Sequence, residues 1–432
     1  MAGTPLLESP ADELRETLRR VLDRPLTSYY LVLGATAMLL MLGLVMVLSA
    51  SSVDSYRRSG SSFAVFEKQA LWFAVGLPLL WLAARLPTRA YRVLAYPALA
   101  GCLGLLALVP LVGVEVNGNT NWLDLGGPFR VQPSEPAKLA LVIWGADLLA
   151  RKHRLLDEWQ HLLVPLLPVG GVLVGLVLLG SDLGTALVLM VILLGLLFFA
   201  GAPLRLFAGV LACGAVLAAA LARTSENRLE RITSWWGSSG DTALSWSYQA
   251  THGKYALASG GWWGLGLGAS REKWGGLPEA HNDFIFAVLG EELGLVGTLA
   301  VLALFGGLGY AGLRIAARST DGFVRLAAAG VTTWIIFQTL VNVGAVLGIL
   351  PVIGIPLPLV SYGGSALLPT MLALGMLLAF ARREPGAAEA LAERGPGRVA
   401  RALLRVPAAA RARRASRRRA SSPPRRGRRA VR

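Results

Sequence analysis

A few ionisable residues lie inside or at the edge of long apolar runs. At membrane depth each such group costs roughly 2.5–3.5 kcal/mol on insertion scales, so it is kept when it pairs or when it works. Asp283 stands in the string LPEAHNDFIF, where a long polar loop enters an apolar segment. Beside Phe284 and Phe286 its carboxylate is partly desolvated, which raises its pKa and makes it a better base near neutral pH. The same position suits an N-terminal helix cap, and position alone leaves both roles open. Glu135 and Lys138 lie three residues apart on one helical face, with Gln132 one turn earlier. They fit either a reaction or an ion pair holding two helices together. Asp182 heads another apolar run, followed by Thr185, and fits a cap or a polar cavity. Glu291 and Glu292 lie two turns deeper than Asp283.

Other chemistries find no support. His153, His161, His252 and His281 show no metal-ligand spacing. There is no nucleophile elbow and no Cys/His pair, which argues against a covalent hydrolase. The glycines of GGWWGLGLG are followed by no Lys-Ser/Thr, so a nucleotide-binding loop is rejected. Cys102 and Cys213 both fall in apolar runs and read as small apolar residues. The loop that leads to Asp283 carries Trp235, Trp236, Trp246, Trp262, Trp263 and Trp274, half of the 12 tryptophans. An interfacial aromatic belt accounts for such residues as readily as sugar stacking does.

The elements that must position these groups are membrane helices. Of the 432 residues 54% are hydrophobic and 16% charged. The apolar residues collect in runs of roughly 18–21, the length that crosses about 30 Å of hydrocarbon. The expected fold is all-α and polytopic, with about ten transmembrane helices. The spans are drawn at 30–50, 70–86, 93–112, 137–150, 162–180, 183–200, 204–222, 284–313, 324–350 and 362–381. The fourth is short, carries Asp147, and is expected to extend back through Gln132. Basic residues favour both termini in the cytoplasm. Inner segments then hold 31 of the 42 Lys and Arg, and six of the other 11 lie in one long outer loop, 223–283, between the seventh and eighth spans. The segment 113–136, the turn 180–185, that loop and the Pro- and Gly-rich stretch 347–365 all face outward, which points to an external site.

The chain divides into a cytoplasmic N-terminal segment 1–29 with a short amphipathic pattern, a membrane domain 30–381, and a basic tail 382–432. The tail holds 17 arginines against three acids, +14 of the net +16. A basic tail beside a last membrane helix points to anionic lipid or a protein partner, or to disordered charge, rather than to nucleic acid.

The strings NWLDLGG, FRVQPSEPAK, SDLGT, LPEAHNDFIFAVLGEELG and NVGAVLGILPVIGIPLPLVSYGGS, in this order and spacing, resemble the FtsW/RodA family of membrane proteins, also called SEDS proteins. The resemblance covers roughly residues 30–381. The PEAHNDFIF form and the Arg/Ala/Pro tail look more like the division branch, in a high-GC actinobacterial form, than the elongation branch. The family usually has Gln-Pro before the aspartate of the SDLGT turn. Gly180 and Ser181 stand there in this chain, so a different turn shape is expected around a retained Asp182.

The resemblance implies a processive peptidoglycan glycosyltransferase at the outer face of the plasma membrane. It would join lipid II units by inverting displacement of undecaprenyl diphosphate. Asp283 matches the family's catalytic aspartate and becomes the expected general base. Arg130 and Lys138 are expected to meet the leaving diphosphate, with Glu135 orienting Lys138. Trp122, Gln132 and His281 join the substrate-binding residues. Asp182 is expected to complete the polar cavity or to hold a divalent cation, Mg2+ or Mn2+; no organic cofactor is implied. Implied partners are a class B penicillin-binding protein, met through the eighth and ninth helices and the outer loops, and other divisome proteins at the septum. A lipid II flippase and a scaffold that only recruits the transpeptidase are the alternatives. The charges at membrane depth cluster outward, Asp147 apart, which favours surface chemistry over a transport path.

Overall fold

The computed structural model describes residues 24–116, 119–124, 126, 130–152, 163–209, 212, 246–387 and 389–390. These form ten helices of 14 residues or more and three short strands. The helices are α1 (Thr27–Ser59), α2 (Ala64–Ala83), α3 (Thr88–Val112), α4 (Ser134–Arg151) and α5 (Leu166–Leu179). Then come α6 (Leu183–Phe199), α7 (Trp246–Gly260), α8 (Ile285–Arg318), α9 (Gly322–Val346) and α10 (Gly364–Ala381).

Six of them (α1, α2, α3, α8, α9 and α10) are long and apolar enough to cross a membrane, and α5 and α6 are apolar but shorter. The chain is a multi-pass membrane protein, as its composition requires. α4 starts at Ser134, so it reaches back beyond 137 but stops short of Gln132. Nearly all of its residues are buried, including Glu135, Lys138 and Asp147. α4, α9 and α10 form the interior, whereas α2 and α3 leave many large apolar side chains exposed, as lipid-facing helices do.

Two of the stretches expected to face outward hold more structure than their sequence indicated. The segment 113–136 forms an antiparallel sheet of β1 (Val114–Val116), β2 (Asn119–Asp124) and β3 (Arg130–Val131) in that order. The loop 223–283 contains α7, which packs against α8. Of the expected seventh span, 204–222, residues 204–209 are helical, and 213–245, with Cys213, Trp235 and Trp236, lie outside the described residues. So do His153, His161, the N-terminal amphipathic pattern before Arg24, and the tail from Leu391.

α8 is broken. Gly294 takes φ 67°, ψ −166° inside it, and the loop 261–266 fills the gap. Leu265 and Gly266 donate their N–H groups to the carbonyls of Glu291 and Glu292 at 2.9 and 3.0 Å. Leu295 and Val296 donate to Gly261 and Trp262 at 2.9 and 3.2 Å. The backbone groups released by the kink are therefore satisfied, as membrane depth demands. The glycines of GGWWGLGLG permit this docking: a Cβ on Gly264 would meet the Glu292 backbone, and one on Gly294 would meet Gly264 and Trp262.

Candidate active site

α8 begins at Ile285, and its N-cap residue is Phe284. Asp283 therefore stands one position before the N-cap residue. The backbone there is clamped from across the fold. The carbonyls of His281, Asn282 and Asp283 accept, in turn, from the Tyr362 N–H at 3.0 Å, the Ser361 hydroxyl at 2.7 Å and the Asn342 amide at 2.8 Å. Asn342 also donates to the Ile355 carbonyl at 2.8 Å, and the Ser361 hydroxyl accepts from the Leu357 N–H at 2.8 Å. Glu279, in the same loop, holds a left-handed φ of 54°, a strained conformation for a non-glycine residue.

This clamp sets Asp283 in a shallow, partly open cleft. Its other walls are Phe284, the last turns of α9 and residues 352–355. A Cβ on Gly354 would stand 3.5 Å from Asp283 Oδ2, so the bare glycine leaves room beside the carboxylate. His281 packs edge-on to Tyr362, with ring centroids 5.6 Å apart. Burial holds the His281 imidazole below its ordinary 6.5, against the opposite pull of Glu279 and Asp54, and Arg58 adds to the lowering.

Residues 353–356 form the common wall between this cleft and a second polar centre. On that side Gly184 packs against the Ile353 carbonyl, and Gln338 donates to the Pro356 carbonyl at 2.9 Å. Lys138 pairs with Glu135 at 2.8 Å, donates to Gln338 at 3.4 Å and lies 5.2 Å from the Trp334 ring centroid. Both charged side chains are almost fully buried, at 2% and 4% exposure, so each needs the other. Asp182 caps α6 by accepting from the Thr185 N–H at 2.9 Å, and its second oxygen accepts from Gln132 at 2.6 Å and Ser134 at 3.3 Å. The cap and the polar-cavity roles therefore coexist.

The different turn shape before Asp182 is found. Ser181 holds φ 63°, which the fixed φ of proline forbids. Gly180 lies under β2, where a Cβ would stand 3.0 Å from the Thr120 carbonyl. Trp122 is partly buried on β2, opposite Val114. Arg130 faces Asp124 across the β2–β3 pair, 3.5 Å apart and half exposed. The fold thus brings Gln132 to Asp182, Glu135 to Lys138, and His281 to the Asp283 loop, while Arg130 and Trp122 sit on the sheet.

Asp182 has both oxygens engaged by N–H and O–H donors. Among the described residues no three His, Cys, Asp or Glu side chains converge. This set does not fit a protein-held cation, and no step is routed through one. Asp147, the inward exception, is fully buried between Arg92 and Arg151, 2.7 Å from each. Glu291 and Glu292 hold the 261–276 loop: Glu291 accepts from Ser270 at 2.6 Å and from the Arg271 N–H at 2.9 Å, and Glu292 accepts from Ser49 at 2.6 Å and faces Lys273 at 3.4 Å. Gln338, Asn342 and Ser361 were not singled out from the sequence. Their signal was present: Gln338 and Asn342 stand four apart on an otherwise apolar span, the pattern that drew attention to Glu135 and Lys138.

Comparison with known proteins agrees with this arrangement. The family model for FtsW/RodA/SpoVE, described as a cell cycle protein, matches residues 30–385. A protein of Mycobacterium tuberculosis named probable peptidoglycan glycosyltransferase FtsW is 45% identical over 388 residues, 89% of this chain and 74% of that one. Its namesake in Thioalkalivibrio sulfidiphilus is 40% identical over 90% of this chain and 95% of its own. Among solved structures, Thermus thermophilus rod shape determining protein RodA matches with TM-score 0.60 and 31% identity, over 82% of this chain and 97% of that one. A chain from the work described as structural coordination of polymerization and crosslinking by a peptidoglycan synthase complex matches with TM-score 0.65 and 31% identity, over 81% and 96%. The helical membrane fold, the clamped aspartate and these likenesses across most of the chain agree, and the protein belongs to the FtsW/RodA/SpoVE family of cell cycle proteins.

Proposed function

We propose that this protein is a peptidoglycan glycosyltransferase that polymerises lipid II at the outer face of the plasma membrane, at the division septum. The observation that carries the reading is Asp283, a carboxylate in a shallow, partly open cleft on a backbone clamped at three consecutive carbonyls. Such a group suits a general base. It takes the proton of the GlcNAc 4-hydroxyl of one lipid II as that oxygen attacks the anomeric carbon of the donor chain. The C–O bond to undecaprenyl diphosphate breaks, the configuration inverts, and the diphosphate leaves with the bonding electrons. Gln132 with Asp182, and Glu135 with Lys138, form the polar interior behind the cleft wall. Any divalent cation enters as the counter-ion of the diphosphate.

The relatives' names support the reaction. The solved complex supports a cross-linking partner, which we take to be a class B penicillin-binding protein. Of the two helices expected to meet it, α9 exposes only Arg325 and Leu340, whereas α8 exposes Leu295, Leu299, Leu302, Tyr310 and Leu313 along one side. α8 is therefore the contact we assign. Asp147, locked between two arginines, offers little to a transported headgroup, which weighs against a flippase.

The test is polymerisation of labelled lipid II by the purified chain with its transpeptidase, read on a gel. Wild type should give long strands. Asp283→Asn should lose roughly 100-fold or more, the reach of a positioned base, while still binding its partner. No strands from wild type, with partner binding intact and lipid II shown to cross liposomes, would favour the flippase.

A further inference from the structure

A leaving diphosphate must be met by cations that are not already neutralised. The two expected from the sequence are both engaged, Lys138 with Glu135 and Arg130 with Asp124. Lys273 is buried against Glu292, and Arg58 pairs with Asp54 at 2.9 Å. Lys254 differs from these. It lies on α7, one residue after Gly253, where the helix crosses two walls of the Asp283 cleft. A Cβ on Gly253 would stand 3.1 Å from the Phe284 ring and 3.7 Å from the Val346 carbonyl. The Lys254 stem then runs over Gly348, just beyond the last turn of α9, where a Cβ would stand 2.8 Å from Nζ. Gly348 has φ 73°, and its missing side chain is the notch in which the ammonium rests. Lys254 is exposed, and among the described residues it makes no ion pair.

We propose that Lys254 is a substrate-positioning cation, holding the diphosphate of the lipid-linked substrate at the rim of the Asp283 cleft. This rests on the glycosyltransferase reading above and goes beyond it by assigning the diphosphate to a residue outside the motifs that mark the family. An ammonium there draws the anionic headgroup to the rim of the cleft, apart from the carboxylate that takes the hydroxyl proton.

Two measurements test it, on the full chain with its transpeptidase. The first is initial rate against lipid II concentration for wild type, Lys254→Ala, Lys254→Arg and Lys254→Glu. KM should rise about five- to tenfold in the alanine variant, the scale of one charge-assisted contact at an exposed site. It should rise further in the glutamate variant and stay near wild type with arginine, with kcat within about twofold throughout. The second is binding of undecaprenyl diphosphate by intrinsic fluorescence, which needs no turnover. Weaker binding by Lys254→Ala, restored by arginine, supports the site even if wild type makes no polymer, an outcome that would count against the polymerase reading alone. Equal binding by wild type and alanine variant, or an unchanged KM, overturns the proposal.

Discussion

The side-chain amide of Asn342 bridges two carbonyls, those of Asp283 and Ile355, 2.8 Å from each. One residue thereby fixes the Asp283 loop and the opposite wall of its cleft. Asn342→Ala would leave both acceptors unmatched, a penalty of about 1–3 kcal/mol each where they are buried. It would also let the carboxylate drift. Since a displacement of about 1 Å can cost 100-fold in rate, polymerisation should drop at least tenfold while the protein still purifies folded. Undiminished turnover would show that the loop holds its own shape. Gln338, one turn earlier on α9, has the matching role and ties Lys138 to the Pro356 carbonyl. Side chains on one face of α9 thus set both polar centres.

At the scale of the element, the kink of α8 and the glycine-rich loop form one unit. Gly260 meets the Gly290 carbonyl, Gly264 the Glu292 carbonyl and Gly294 the Trp262 carbonyl, each at a distance that leaves no room for a Cβ. Gly294→Ala adds a left-handed φ to this clash, a strain of order 1–3 kcal/mol. The melting temperature should fall below that of wild type. Gly101 on α3 is the control, because nothing lies within 4 Å of its would-be Cβ. Alanine there should be neutral or stabilising through helix propensity. Equal melting of the two variants would mean that the loop does not lock the helix. The glycines were visible in the sequence. Their purpose was not, because spacing along a chain does not tell which backbone passes on the other side.

At the scale of the molecule, the site depends on elements far apart in sequence. The end of α1 reaches the loop before α8, where Arg57 donates to the Trp274 carbonyl at 3.1 Å and Asp54 and Arg58 act on His281. At the other end, Arg314 donates to the Arg24 carbonyl at 3.0 Å and Arg382 to the Ala84 carbonyl at 2.9 Å, stitching the helices together. The lowered His281 pKa makes this assembly sensitive to acid. A histidine kept neutral by burial takes up its proton more readily when unfolded, so its contribution is complete above about pH 6.5 and shrinks as pH falls toward the folded value. Melting temperature should therefore drop between pH 7.5 and 5.5. His281→Gln should flatten that slope, and an unchanged slope would assign the effect to other groups.

The sequence by itself determined the membrane class, most of the helices and the family, because twenty-residue apolar runs have one way to satisfy their backbone in lipid and the motifs are local strings. It also marked Asp283, Asp182, Glu135 and Lys138, since a charge in an apolar run must be paired or used. Only the tertiary structure decided among the roles those residues could take. Asp283 stands one residue before the N-cap of α8, on a backbone held from α9 and from residues 361–362. Asp182 is a cap and a cavity residue together because Gln132 reaches it across the fold. Lys138 is paired with Glu135 in the interior, Arg130 pairs with Asp124 on the exposed sheet, and Lys254 lies over Gly348. Each of these outcomes depends on which segments meet, and that is set by the packing of helices separated by dozens to hundreds of residues.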